Sequence, residues 1–318
     1  MIKGKVVITD YGFTDLNQEK TLLAGQNYEL LAAQCTTEEE IISFSEGADA
    51  LLVQWAPVTA KVIEKLKTCK IIVRYGIGVD NVDIEAAKKM NIPVCNVPDY
   101  CVNEVADHTM AFAIALGRQL VETNTRMRSG VWKITPPHTM PAFRKMIFAT
   151  LGCGRIARAV LQRASAFGFR AAAYDPYISD KEMDELNIQK LQLDELFEMA
   201  DIVSLHLPLT DQTRHMINAE RLEQMKSTSI LINTSRGGLI DTKALAMALQ
   251  NKIIAGAGLD VFEVEPLPAD DLLWQCDNVI LTSHTAWNSD ASVSVLQEMA
   301  VKEVIRGLKG EPLKNRIV

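Results

Sequence analysis

Met146-Ile-Phe-Ala-Thr-Leu-Gly-Cys-Gly-Arg-Ile-Ala157 is followed by a helix-like run to Phe167 and then by Phe169-Arg-Ala-Ala-Ala-Tyr-Asp175. An apolar strand, a Gly-x-Gly turn, a helix patterned at Ile156, Val160 and Ala164 and a second strand closed by an acid describe one β-α-β unit. That is the shape of a dinucleotide site. Gly152 permits the tight turn, Gly154 lets a pyrophosphate approach the backbone, and Ala157 is small enough for close helix–strand packing. The helix start, at Arg155 and Ile156, offers N–H groups and a positive dipole end to phosphates. Asp175 stands about 20 residues beyond the turn, where an acid accepts hydrogen bonds from the adenosine ribose. Its charge would repel a 2′-phosphate, so NAD is expected over NADP.

Alternating short apolar runs and helix-like runs extend this unit in both directions. Val6–Thr9, Tyr28–Ala32, Ala50–Gln54, Ile71–Val73 and Pro93–Val97 read as strands, with helical pieces at Val62–Leu66 and Ile84–Met90. Val102–Arg126 reads as one long, mostly apolar helix. Gly130–Phe143, carrying Pro136, Pro137 and Pro141, reads as a connecting loop. Downstream come helices at Leu193–Met199, Ala219–Met225 and Thr242–Gln250, strands at Ile202–Leu207, Ile230–Thr234, Ile254–Val261 and Val279–Thr282, and a last amphipathic helix at Asp290–Leu308. Such alternation means parallel sheets covered on both faces. The boundaries expected are residues 1–100 with 286–318 for one domain and 101–285 for the nucleotide domain, the last helix folding back onto the first.

The 318 residues suffice for about two domains. With 33 Lys and Arg against 40 Asp and Glu, the net charge of −7 repels nucleic acid and anionic membrane, so small molecules are the expected partners. No run of about 18 uncharged apolar residues occurs, and the N-terminus lacks a signal-peptide apolar core, which predicts a cytoplasmic protein. Six cysteines without C-x-x-C spacing read as reduced core thiols, and five scattered histidines lack metal-ligand spacing, so no metal is expected.

Polar residues at predicted strand ends carry the chemistry. Arg74-Tyr-Gly-Ile-Gly-Val-Asp-Asn81 can turn backbone N–H groups toward a carboxylate, although the same residues suit a plain glycine turn. Three more ends are Asn233-Thr-Ser-Arg-Gly-Gly238, Gly258-Leu-Asp-Val-Phe-Glu-Val-Glu-Pro266 and Leu281-Thr-Ser-His-Thr-Ala-Trp287. Taken singly, Arg236 suits a surface ion pair, Glu265 a solvated loop and His284 an ordinary satisfied imidazole.

With these motifs in this order, essentially the whole chain resembles the D-isomer-specific 2-hydroxyacid dehydrogenases. The resemblance implies two doubly wound α/β domains around a cleft, a Rossmann nucleotide domain inserted into a flavodoxin-like substrate domain, and a homodimer. It implies a catalytic set of Arg236, Glu265 and His284. His284 would exchange a proton with the substrate oxygen, Glu265 would stabilise the imidazolium and raise its pKa, and Arg236 would bind the carboxylate and polarise the C2 oxygen. Thr234 and Asp260 would face the cofactor, as would Arg236 and His284. Pro208 would line the adenine pocket and Thr213 would join the cofactor set. Tyr75, Gly76, Ile77, Gly78 and Trp287 would contact substrate, with Gln54, Trp55 and Arg74 near the same pocket. The expected activity is hydride transfer between NAD(H) and C2 of a D-2-hydroxyacid or 2-keto acid. D-3-phosphoglycerate dehydrogenase is the narrower alternative. A corepressor-like, NADH-sensing protein-binding module is another, suggested by His284-Thr-Ala-Trp287. Ser283 stands where many relatives have proline. Gln54 stands where phosphoglycerate dehydrogenases often have arginine, which argues against a phosphorylated substrate.

Overall fold

The computed structural model describes residues 2–136 and 138–318; Pro137, counted above in the connecting loop, lies outside them. The chain divides into two compact units, residues 1–101 with 288–318 and residues 102–287.

The first unit alternates strand and helix: β1 Gly4–Ile8, α1 Asn17–Ala24, β2 Tyr28–Ala32, α2 Glu38–Phe44, β3 Ala50–Val53, α3 Ala60–Ile63, β4 Ile71–Arg74, α4 Ile84–Lys89 and β5 Val94–Cys95. The strands form a parallel sheet in the order β2-β1-β3-β4-β5, with Val6 opposite Ala50 and Ala50 opposite Ile71. β3 is buried throughout, as an unbroken apolar strand inside a parallel sheet must be. α1 and α2 have no counterpart among the elements expected from the sequence. Each buries only one or two side chains, Glu19 and Leu23 in α1 and Ile41 in α2, too few to print a helical period. A capping box between Thr37 and Glu40 starts α2.

The second unit opens with α5 Val102–Gly117 and α6 Leu120–Arg128. This corrects the single helix expected over Val102–Arg126: Gln119 takes a left-handed φ of 52° and interrupts it. Then follow β6 Ile147–Leu151, α7 Arg155–Ala166, β7 Arg170–Tyr174, α8 Asp180–Glu185, β8 Gln189–Lys190, α9 Leu193–Met199, β9 Ile202–Leu205, α10 Ala219–Gln224, β10 Ile230–Asn233, α11 Thr242–Gln250, β11 Gly256–Leu259 and β12 Val279–Leu281. The short, polar α8 and β8 are further additions to the sequence reading.

Seven parallel strands lie in the order β12-β11-β10-β9-β6-β7-β8. One face is covered through Leu196, Phe197, Leu222, Leu245 and Leu249, the other through Met110, Phe112, Val160, Leu161 and Met183. On α7 the buried positions Ala157, Val160, Leu161 and Ala164 form one stripe at helical spacing. Both units therefore have the doubly wound α/β architecture predicted. The strand order reverses between β6 and β9, and ligands of such sheets bind beyond the carboxyl ends of the strands at that switch point.

The chain returns to the first unit as α12 Asp290–Lys309, which packs against α1, β3 and β4.

Candidate active site

Four strand ends of the second unit carry the predicted site. Beyond β10, the fully buried Asn233 folds the chain around Arg236. Its Nδ2 donates to the Arg236 carbonyl (2.8 Å) and its Oδ1 accepts from the Ser235 N–H (3.0 Å). Ser235 Oγ ties this turn to the Leu207 carbonyl beyond β9 (2.6 Å). The turn then runs so close to the segment after β11 that a Cβ on Gly237 would lie 1.9 Å from the Phe262 carbonyl carbon. Only glycine permits this approach, which brings Arg236 near Glu265.

His284 follows β12 with a left-handed φ of 55°, a strained geometry for histidine held by its N–H donating to the Asp260 carbonyl at 2.7 Å. Its Nδ1 lies 2.7 Å from Glu265 Oε2. Glu265 Oε1 accepts from the Phe262 N–H at 2.9 Å. Burial raises the Glu265 pKa, but the hydrogen bond and charge of His284, the Phe262 N–H and the Arg236 charge outweigh it and hold this carboxyl below the usual range. An ionised Glu265 accepts the Nδ1 proton and leaves Nε2 to exchange a proton with a ligand. Arg236, Glu265 and His284 line one depression of about 280 Å³, with Arg214 and Glu263 at its wall. Glu263 is already bonded to His215 and to the Thr242 N–H.

The nucleotide residues gather at the switch point. Gly152 has φ 93°, and a Cβ there would lie 2.6 Å from the His206 carbonyl oxygen. Gly154 faces open space and, as the N-cap residue of α7, brings no side chain to cap it. This open, uncapped turn fits a pyrophosphate. Asp175, at the end of β7, accepts from the Cys153 N–H (2.8 Å) and the Tyr177 N–H (2.9 Å), which fixes the acid against the fingerprint turn. Burial pushes His206 down to about 3, so it adds no positive charge there.

Several expected contacts are spent on the protein itself. Asp260, 1% exposed, accepts from the N–H groups of Thr285 and Ala286 (both 2.9 Å) and from Thr282 Oγ1, so it anchors the His284 loop. Thr234 Oγ1 meets Thr109 Oγ1 on α5 at 2.9 Å, and Thr213 Oγ1 donates to the Pro208 carbonyl at 2.7 Å. Trp287 Nε1 donates to the His284 carbonyl at 2.8 Å. Sequence reasoning names these residues but misses the anchoring roles of Asn233 and Asp260, because the partners of a buried amide or carboxylate are set by tertiary approach.

In the first unit, the Tyr75 ring is buried and its hydroxyl donates to Glu19 (3.1 Å), so its side chain presents nothing to a substrate. Gln54 is likewise buried, its Oε1 accepting from the Gly12 N–H, and Arg74 Nε donates to the Gln54 carbonyl. The N–H groups of Tyr75 and Gly76 bond to the Val53 and Arg74 carbonyls. Among the described residues, the N–H groups of Ile77 and Gly78 bond to no partner, and neither do those of Val79 and Asn81 in the same turn.

Residues 110–286 match the model of the D-isomer-specific 2-hydroxyacid dehydrogenase NAD-binding domain. The chain belongs to this family. As an NAD-dependent 2-hydroxyacid dehydrogenase, it is 40% identical over 285 residues to a glyoxylate reductase of Korarchaeum cryptofilum, covering 88% of this chain and 86% of that enzyme. It is also 36% identical to a D-3-phosphoglycerate dehydrogenase of Methanocaldococcus jannaschii, over 98% of this chain but only 59% of that longer enzyme. Among solved structures, the D-lactate dehydrogenase of Aquifex aeolicus complexed with NAD and lactic acid superposes with a TM-score of 0.87 at 29% identity, over 96% of each chain. The matched range, residues 110–286, contains the fingerprint turn, Arg236, Glu265 and His284.

Proposed function

We propose that this dehydrogenase reduces a small, non-phosphorylated 2-keto acid to the D-2-hydroxyacid. The observation that carries the reading is the 2.7 Å His284–Glu265 pair sharing one depression with Arg236. A dinucleotide held at the Gly152–Gly154 turn and Asp175 would supply the hydride that reduces C2. The protein supplies orientation and the proton. Arg236 binds the substrate carboxylate and polarises the C2 oxygen, as a planar multi-donor cation does. Protonated His284 gives its Nε2 proton to that oxygen, and Glu265 holds the ring and stabilises its charged form. Residues 102–287 hold the cofactor. Trp287, whose indole N–H bonds to the His284 carbonyl, is proposed as a further contact to the substrate. Gln54 in place of arginine supports a substrate without phosphate. Asp175 supports NAD over NADP.

A homodimer is also proposed. α6 buries no side chain in the monomer, and next to its exposed Leu120, Val121 and Met127 stand Trp132 and Ile134, 78% and 93% exposed. Six buried cysteines, in no disulfide among the described residues, support a reducing, cytoplasmic setting.

The test is NADH oxidation against glyoxylate, hydroxypyruvate, pyruvate, longer keto acids and phosphohydroxypyruvate, with chiral analysis of the product. Turnover of a small keto acid to the D-isomer supports the reading. Preference for phosphohydroxypyruvate moves it to phosphoglycerate chemistry, and NADH binding without turnover moves it to a sensor.

A further inference from the structure

On α5, His108 and Thr109 reach the ends of two different strands. His108 Nε2 lies 3.0 Å from Thr282 Oγ1, at the end of β12, and Thr109 Oγ1 lies 2.9 Å from Thr234 Oγ1, at the end of β10. Hydroxyl bookkeeping fixes the direction of these bonds. Thr282 has one proton and gives it to Asp260 Oδ1, so the imidazole must donate and His108 carries a proton on Nε2. Likewise Thr109 gives its proton to the Val105 carbonyl (2.8 Å), so Thr234 donates to Thr109.

The first chain of donors runs from His108 through Thr282 to a buried carboxylate that grips the catalytic loop. Asp260 accepts from the Thr285 and Ala286 N–H groups through its side chain and from the His284 N–H through its carbonyl. His108 Nε2 also stands 3.8 Å from Asp260 Oδ1. Bonds in such a buried chain polarise one another, and losing one donor leaves the carboxylate under-solvated. The His108 ring is held in turn, edge-on against Phe112 with centroids 4.7 Å apart.

We propose that His108 is a positioning residue for His284, acting through Thr282 and Asp260; the inference rests on the dehydrogenase reading of His284. A merely packed ring would be replaceable by any side chain of similar bulk. A donor would be replaceable only by another donor.

His108→Leu and His108→Gln separate the two. In NADH-dependent keto acid reduction, His108→Leu is expected to lose about tenfold or more in kcat with NADH affinity changed by less than about twofold, and His108→Gln to recover most of that loss. Thr282→Val cuts the same link with little change of volume and carries the same expectation should His108→Leu fail to fold. NMR of ring-labelled histidine, simple with five histidines, reads the loop without turnover. The His284 resonance should shift in His108→Leu and return towards the wild-type position in His108→Gln. An unshifted His284 resonance, or equal kcat loss in the Leu and Gln variants, overturns the proposal. A wild type that reduces no keto acid overturns the reading of function instead, and the resonance still decides the link to His284.

Discussion

His284 Nδ1 and Glu265 Oε2 sit 2.7 Å apart although 19 residues separate them, one on each of two strand-end segments. The Glu265 carboxyl is held below the usual range. Because its folded pKa lies below its unfolded value, its contribution to stability is complete above about pH 4 and is lost as pH falls through the folded value. Thermal denaturation from pH 6 to pH 3 should therefore show a smaller acid-side loss in Glu265→Gln than in the wild type. The same variant keeps a hydrogen bond to His284 but no charge, and its kcat should fall by about 100-fold.

Asp175 should set cofactor choice. Asp175→Ser removes the negative charge at the end of β7, and the ratio of kcat/KM for NADPH over NADH should rise by about tenfold or more. An unchanged ratio would remove Asp175 from the ribose site.

Gly237 is required by its approach to Phe262. Gly237→Ala should destabilise the fold by about 1–3 kcal/mol, measured by denaturant unfolding, and lower kcat because Arg236 rides on the displaced turn. Wild-type stability would mean that the close approach is not maintained in solution.

The exposed apolar arm predicts a dimer. Light scattering should give about twice the 35.2 kDa chain mass, and Trp132→Asp combined with Ile134→Asp should return the monomer. A wild-type monomer rejects the assignment.

The legible parts of the sequence were those where one local rule decides. Gly152, Gly154 and Ala157 followed by Asp175 gave the β6-α7-β7 unit, and the unbroken apolar runs at Ala50–Val53 and at Ile230, Leu231 and Ile232 gave buried parallel strands. α1, α2 and α8 escaped because their buried faces hold only one or two side chains, and the break at Gln119 carries no proline. At the site, residue types were legible and partners were not. Asp260 looks like a ligand-facing acid until the 282–286 loop folds onto it. Tyr75 looks like a pocket residue until Glu19, 56 positions earlier, takes its hydroxyl into the core.

The most direct measurement is kcat with the best keto acid, together with NADH affinity by fluorescence, for His284→Ala beside the wild type. A loss of about 100- to 10,000-fold in kcat with NADH affinity nearly unchanged is the predicted result. Unchanged turnover in that variant would contradict the assignment of His284 as the proton-exchanging residue.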